Sequence, residues 1–288
     1  LLVVFTLTEI TFTILVDEDL DGNLSLNYVH LKPYKLPVLE TEMKINELLQ
    51  HKIADSLLQQ YDDKIFKRQY FNVRLIPDTV LGWSPNPFFK SNDELYIYNK
   101  DGIRCGDLLK DYSRKRKLRI AIFGDSYLHG DEVKYENTIG YYLQSKLLNL
   151  GTDVEVMNFA VSGYGMDQAM LRWEQVKDKF QPDIVILGVQ FENAKRHINL
   201  LRPFYYFITE IPYSKPRYIL EGGKLQLINN PINDINKTVD IIKHFEDWEF
   251  LNFEGFYNDS NYNSSFSFNS KFISFISSAT SQIVSEID

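Results

Sequence analysis

Between Leu118 and Val189 the chain alternates apolar runs with helical patterns, and this alternation constrains its fold more than anything else. LRIAIF (118–123), DVEVMNFA (153–160) and DIVILGV (183–189) are mostly apolar and β-branched. Runs of that length with little polar alternation read as strands buried on both faces. Two segments of helical spacing stand between them. ENTIGYYLQSKLLNLG (136–151) puts Ile139, Leu143, Leu147 and Leu148 on one stripe, with Asn137 placed to cap its start and Gly151 to supply a left-handed residue at its end. MDQAMLRWEQVKDKF (166–180) comes next and is stopped by Pro182. Strand, helix, strand, helix, strand predicts an α/β fold, with a parallel sheet covered by helices.

Ligands bind beyond the C-terminal ends of the strands in open parallel sheets. Three polar clusters fall at those ends. The first strand runs into Gly124-Asp125-Ser126, the second into Ser162-Gly163-Tyr164-Gly165, and the third into Gln190, Glu192 and Asn193. A serine on a tight strand-to-helix turn offers a hydroxyl and its own N–H. Gly124 lets that turn close, and the Asp125 carboxylate can hold its shape by accepting backbone N–H bonds. Gly163 offers an unobstructed N–H, and Asn193 offers an amide donor. Three donors aimed at one point make an oxyanion hole, each worth about 3–4 kcal/mol in the transition state. Each cluster alone is an ordinary turn or helix cap; the three in succession point to acyl transfer through Ser126.

The segments that carry these clusters resemble the SGNH/GDSL serine hydrolases. IAIFGDSYLHGDEV is similar to the first block of that family, NFAVSGYGMDQ to the second and PDIVILGVQFEN to the third. The resemblance implies Ser126 as nucleophile, with Gly163 and Asn193 completing the oxyanion hole and Gly124 and Asp125 supporting the turn. It implies a flavodoxin-like three-layer α/β/α sandwich. It covers roughly residues 80–232, with 200–232 as an insertion after the third block, and it includes the upstream LGWSPNP…NKDGIRCGD, which resembles the lead-in of membrane-tethered members.

One family signature is missing. The family takes its general base from a D-x-x-H near the C-terminus, and this sequence contains no D-x-x-H. The five histidines are His30, His51, His129, His197 and His244. His129 lies three residues after Ser126 and reads as a lining residue; His197 reads as a solvated loop histidine; His244 forms a D-x-x-x-H with Asp240. His129 and His244 are the candidates for a base within the chain. The expectation is a chain truncated before the last strand and helix of the fold, and therefore inactive as it stands.

The remaining sequence sets outer bounds. With 31 basic and 39 acidic residues the net charge is −8, which argues against a nucleic-acid partner. The one basic run, Arg114 to Lys117, reads as a solvated strand entry. Cys105 is the only cysteine, so no internal disulfide can form. No phosphate-binding loop or H-E-x-x-H occurs, and DEDLDGN (17–23) reads as a solvated acidic turn and not a calcium loop. No cofactor and no metal are expected. Leu1 to Leu15 is apolar except for Glu9 and its threonines, which reads as a helix projecting from the domain as part of a membrane anchor, or as a core element.

The expected organisation is an anchor at 1–15, a lead-in at 16–117 with a helix at 41–61, and a partial hydrolase domain at 118–288. Within the lead-in, 81–106 is expected to be irregular with one short hairpin. A Gly222-Gly223 hairpin is expected in the insertion, and a helix at 235–250. The expected function is hydrolysis of a small-molecule or glycan ester, as an esterase or O-deacetylase. The alternatives are an acyltransferase and a non-catalytic ligand- or carbohydrate-binding module on the same fold. The expected location is the membrane, with the hydrolase domain outside the cytoplasm.

Overall fold

The computed structural model of the chain describes residues 2–27, 29–32, 34–47, 73–112, 118–205, 213–232, 234–257, 270–276 and 278–279. The chain opens with helix α1 (Leu2–Leu15), then a small antiparallel sheet of β1 (Asp17–Glu18), β2 (Leu24–Leu26) and β3 (Val29–Leu31). DEDLDGN forms the β1–β2 turn, where the Asp19 carboxylate accepts the N–H groups of Asp21 and Asn23 at 3.0 and 2.7 Å. A helical run, α2, covers 38–47; the rest of the helix expected at 41–61 lies outside the described residues, as does the basic run at 114–117.

The central element is the parallel sheet. Strands β6 (Leu118–Phe123), β7 (Val154–Asn158) and β8 (Ile184–Leu187) pair in the order β7-β6-β8, all parallel. Because strand side chains alternate between faces, β6 feeds two cores. Ile120 and Ile122 join Val154 and Val156 under Leu143 and Leu147 of α4 (Ile139–Asn149). Ala121 and Phe123 join Met157 and Phe159 under Ala169, Trp173 and Phe180 of α5 (Met166–Phe180). The α/β reading holds, with a helix on each face of β6 and β7.

The start of α4 differs from expectation. Asn137 ends a short 3-10 turn, and Thr138 is the cap, its hydroxyl accepting the Tyr141 N–H at 3.3 Å. The cap sits one residue later than expected; Ile139 and Leu148 are exposed, and the stripe that packs on the sheet is Leu143 and Leu147. Gly151 takes the expected positive φ, +82°. α5 has the expected bounds, because its stripe is continuous and Pro182 forbids another turn.

β8 is different from its neighbours. Ile184 to Leu187 are 36–47% exposed although all four are apolar. Among the described residues β8 pairs on one side only, with β6.

The lead-in is built into the domain. A hairpin of β4 (Leu75–Asp78) and β5 (Gly82–Pro85), unforeseen in the sequence, carries Trp83 into a core with Val161, Tyr164 and Tyr213. Trp83 is fully buried, and its indole N–H donates to Ser162 O at 3.0 Å. The Tyr164 hydroxyl donates back to Trp83 O at 2.6 Å. The Asp101–Gly102 turn closes the expected short hairpin at the bridge Tyr98–Arg104, and a separate bridge, Lys90–Ile97, closes the loop before it.

In the insertion, β9 (Arg217–Glu221) and β10 (Lys224–Ile228) close over Gly222 and Gly223 as expected. Ahead of them, the Lys215 ammonium is buried against the Asp167 carboxylate of α5 and also donates to Pro216 O at 2.7 Å. The helix expected at 235–250 is broken into 3-10 turns and the short α6 (Thr238–Lys243).

The packing of Trp83 makes residues 73–112 part of the same cooperative unit as the sheet. Trp83→Ala should cost about 3–5 kcal/mol, the range for removing a buried large aromatic. Urea unfolding followed by tryptophan fluorescence and far-UV circular dichroism should give one coincident transition in both proteins. A separate early transition for the lead-in would refute the single unit.

Candidate active site

β6 ends at Phe123, and Gly124 leads into a four-residue helix, α3 (Ser126–His129), which precedes α4 in the chain. Asp125 is its cap: one carboxylate oxygen accepts the Tyr127 N–H at 3.0 Å. Ser126 is therefore the first helical residue, half-buried, and its hydroxyl bonds to no described residue. Beneath it Leu128 packs against two strand ends. A Cβ at Gly188 would lie 2.5 Å from Leu128 Cδ1, and one at Gly124 would lie 3.2 Å away. The glycines after β6 and β8 thus make room for one leucine under the serine.

The three strand-end loops are hydrogen-bonded to one another. Asn193 sits in a 3-10 helix, Phe191–Ile198, and donates from Nδ2 to the other Asp125 oxygen at 3.0 Å. Val161 N donates to Gly124 O at 3.1 Å. Arg196 Nη1 donates to Tyr164 O at 2.8 Å and lies 3.8 Å from the Asp125 carboxylate. Met166 N donates to His197 Nε2 at 3.2 Å. So Asp125, Gly163 and Asn193 belong to one cluster of loops around Ser126. Gly163 has φ +78°, which favours glycine, and its N–H donates to no described residue. One Asn193 amide hydrogen is taken by Asp125 and the second is left over; the Asn193 Oδ1 is buried without a partner.

A second polar layer was not foreseen. Asp131, just after α3, accepts the Ser162 hydroxyl at 2.8 and 2.7 Å and Arg74 Nη1 at 3.3 Å. Arg74 also donates to Ser162 Oγ at 3.0 Å and lies over the Tyr96 ring. The third donor to Asp131 is His129 Nδ1. The other imidazole nitrogen faces the Tyr98 hydroxyl at 2.9 Å. His129 is fully buried and both nitrogens are engaged, so it is not offered to Ser126. His244 stands exposed at the end of α6, 3.7 Å from Asp240, with no described contact to the strand-end loops. In the sequence, Asp131 lies five residues past Ser126 and Arg196 three residues past Asn193. Apart from His129 beside Asp131, their partners are remote in the chain: Ser162 and Arg74 for Asp131, Tyr164 and Asp125 for Arg196.

The protonation states follow from burial and partners. Burial lowers the His129 pKa to about 4, against the raising effect of Asp131. Burial works to raise Asp131, but the hydrogen bond and charge of His129, then Arg74 and Ser162, outweigh it and hold it at about 2. Burial likewise keeps the Tyr98 phenol protonated. At neutral pH, Tyr98 O–H donates to a neutral His129, whose Nδ1–H donates to an ionised Asp131.

No family model matches the chain, and no curated protein does. Among solved structures, it is similar to TesA, at 20% identity and TM-score 0.26, over 27% of this chain and 43% of that one. It is similar to AlinE4, an SGNH-hydrolase family esterase, at 23% identity and TM-score 0.26, over 29% and 45%. It is similar to the psychrotrophic esterase EstA from Pseudoalteromonas sp. at 22% identity and TM-score 0.25, over 27% and 43%. The chain therefore spans under half the length of each.

Burying His129 in its neutral form makes stability depend on pH. The unfolded chain takes a proton at His129 near pH 6.5, whereas the folded chain waits until about pH 4. The stability contribution is whole above pH 6.5 and is lost as pH falls to about 4, by roughly 3 kcal/mol. Asp131 adds a further loss between pH 3.8 and about 2. Imidazole nitrogen shifts should show His129 in its Nδ1–H form down to about pH 4.5. A titration midpoint near 6.5 would contradict this arrangement.

Proposed function

We propose that this chain carries the nucleophile and oxyanion-binding loops of a serine ester hydrolase of the SGNH/GDSL type. The observation that supports it best is the combination of three mutually bonded strand-end loops with donors left unspent among them: the Ser126 hydroxyl, the Gly163 N–H and the second Asn193 amide hydrogen. In this reading Ser126 Oγ attacks the ester carbonyl and its proton passes to a base. The carbonyl oxygen becomes an anion held by the N–H groups of Ser126 and Gly163 and by the Asn193 amide. Collapse expels the alcohol, which recovers the proton, and water then releases the acid from the acyl-serine. Asp125 holds the turn of Ser126 on one oxygen and the Asn193 amide on the other, so it sets nucleophile against donor.

The described histidines with bonded nitrogens are turned elsewhere: His129 to Tyr98 and Asp131, His197 to Met166. The reading therefore assigns the base to neither of these two histidines. It carries with it a flavodoxin-like three-layer sandwich in which a further element lies along the exposed β8. The substrate is a small-molecule or glycan ester, and an acceptor hydroxyl in place of water would make the same site an acyltransferase. The commitment of His129 favours the second reading, a non-catalytic module that binds the same ligands, if no base is supplied.

A fluorophosphonate should label the protein at Ser126, found by peptide mass spectrometry, and Ser126→Ala should abolish labelling. Turnover of p-nitrophenyl acetate should fall by about 10³-fold or more in Ser126→Ala and by about 10²–10³-fold in Asn193→Ala, with unchanged circular dichroism. Turnover undiminished in Ser126→Ala would refute the serine assignment. Ligand binding without labelling or turnover would select the non-catalytic reading.

A further inference from the structure

The loop after β7 contains a peptide that can face two ways. Tyr164 N donates to Val161 O at 3.2 Å, so residues 161–164 close a four-residue turn. Gly163, the third residue of that turn, has φ +78°. A positive φ at this position is the mark of a type II turn. Type I and type II turns hold their ends alike; they differ in the central peptide, which is turned over between them. Glycine takes φ of either sign at little steric cost, so the residue type at 163 leaves both orientations open. The central peptide here joins Ser162 to Gly163, and its N–H is the Gly163 donor of the proposed oxyanion hole.

What the Ser162 carbonyl meets decides between the two. Trp83 Nε1 donates to Ser162 O at 3.0 Å from within the buried cluster that includes Val161, Tyr164 and Tyr213. A buried indole N–H needs an acceptor wherever it lies. The one it takes here is the carbonyl joined to the Gly163 nitrogen. In a trans peptide C=O and N–H point in opposite directions. The bond therefore turns the Gly163 N–H away from the Trp83 core, and that N–H donates to no described residue. Turned over, the peptide would set its N–H against the indole N–H, donor facing donor, and leave the indole without an acceptor. The next two carbonyls are held from other segments. Arg202 Nη1, in the insertion, lies 3.5 Å from Gly163 O, and Arg196 Nη1, in the Asn193 loop, donates to Tyr164 O at 2.8 Å. Among the described residues, Trp83 is the partner of the 162–163 peptide itself.

We propose that Trp83 is a positioning residue of the oxyanion hole: its indole N–H fixes the Ser162–Gly163 peptide with the Gly163 N–H turned to the substrate oxygen. The catalytic part of this rests on the Ser126 reading; the orientation of the peptide rests on the turn alone. The lead-in thereby serves the site without touching substrate. Polarisation acts in the same sense, because a hydrogen bond accepted by a peptide carbonyl strengthens the N–H of that peptide as a donor. Without the indole N–H the turn populates its other orientation, and in that orientation the oxyanion loses one of three donors.

The test replaces Trp83 in the full chain in two ways. Trp83→Phe keeps a ring in the core and removes the donor. Trp83→benzothienylalanine keeps the shape of the indole and puts sulfur in place of its N–H, so it decides the matter if the Phe variant does not fold. The Gly163 amide, followed by nitrogen–proton NMR, should shift in both variants and broaden through exchange between two orientations. The kcat for p-nitrophenyl acetate should fall by about tenfold or more with KM unchanged. A Trp83 that only fills the core predicts a native Gly163 amide and a full kcat in the benzothienyl variant, and either result would overturn the proposal. Turnover that survives Ser126→Ala is the separate signature of a failed Ser126 reading, and it takes the catalytic role of Trp83 with it. Turnover lost in Ser126→Ala but kept in the benzothienyl variant removes the positioning role alone.

Discussion

A carboxylate largely withdrawn from water must find donors or give up its charge, and Asp131, whose side chain is 23% exposed, obeys that constraint. It takes a hydroxyl from Ser162 after β7, a guanidinium from Arg74 ahead of β4, and the imidazole of its own loop. Leaving any one of these donors out would strand charge or polar atoms away from water, at a cost of several kcal/mol. One side chain thereby fixes where the lead-in meets the sheet, how far the loop after β7 turns, and which tautomer His129 adopts. Arg104 supports the same region from below. It is nearly fully buried and donates from Nη2 to the carbonyls of Leu95, Gly130 and Val133.

This polar layer leaves the catalytic candidates above it uncommitted. Ser162 is spent on Asp131 and His129 is spent on both sides, whereas Ser126 and the Gly163 N–H are not. In the proposed reading this separates support from chemistry: the residues behind the site are locked by ionic hydrogen bonds, so that the unspent donors need no rearrangement when charge develops on a substrate oxygen. Asp125 is the link between the two, since it is both the cap of Ser126 and the acceptor for Asn193.

Much of the central domain was legible from local pattern. The three parallel strands announce themselves because they are apolar on both faces, and α5 because its stripe is unbroken up to Pro182. The strand-end clusters were legible for the same reason: a strand end fixes the position of the residues next in the chain. Features set by remote partners were not legible. The β4–β5 hairpin contains Pro77 and Pro85 and is only four residues a side, so nothing in its own text reads as a strand pair. Arg74 and Asp131 are separated by 57 residues, and only the folded chain relates them. The shift of the α4 cap from Asn137 to Thr138 turned on a choice between two adjacent good caps, which propensity does not resolve.

The long-range stitching of the lead-in has a consequence for synthesis. Trp83 reaches its partner Ser162 across 79 residues, and Leu81 reaches Gln168 across 87. A ribosome working at roughly 5–20 residues per second leaves Trp83 waiting for about 4–16 seconds before Ser162 is polymerised. During that interval the apolar side chains that will close over the sheet have nothing to close upon. Non-local contacts of this kind also slow the search once the chain is complete. The nascent lead-in is therefore the part of this chain that emerges longest before the residues it packs against.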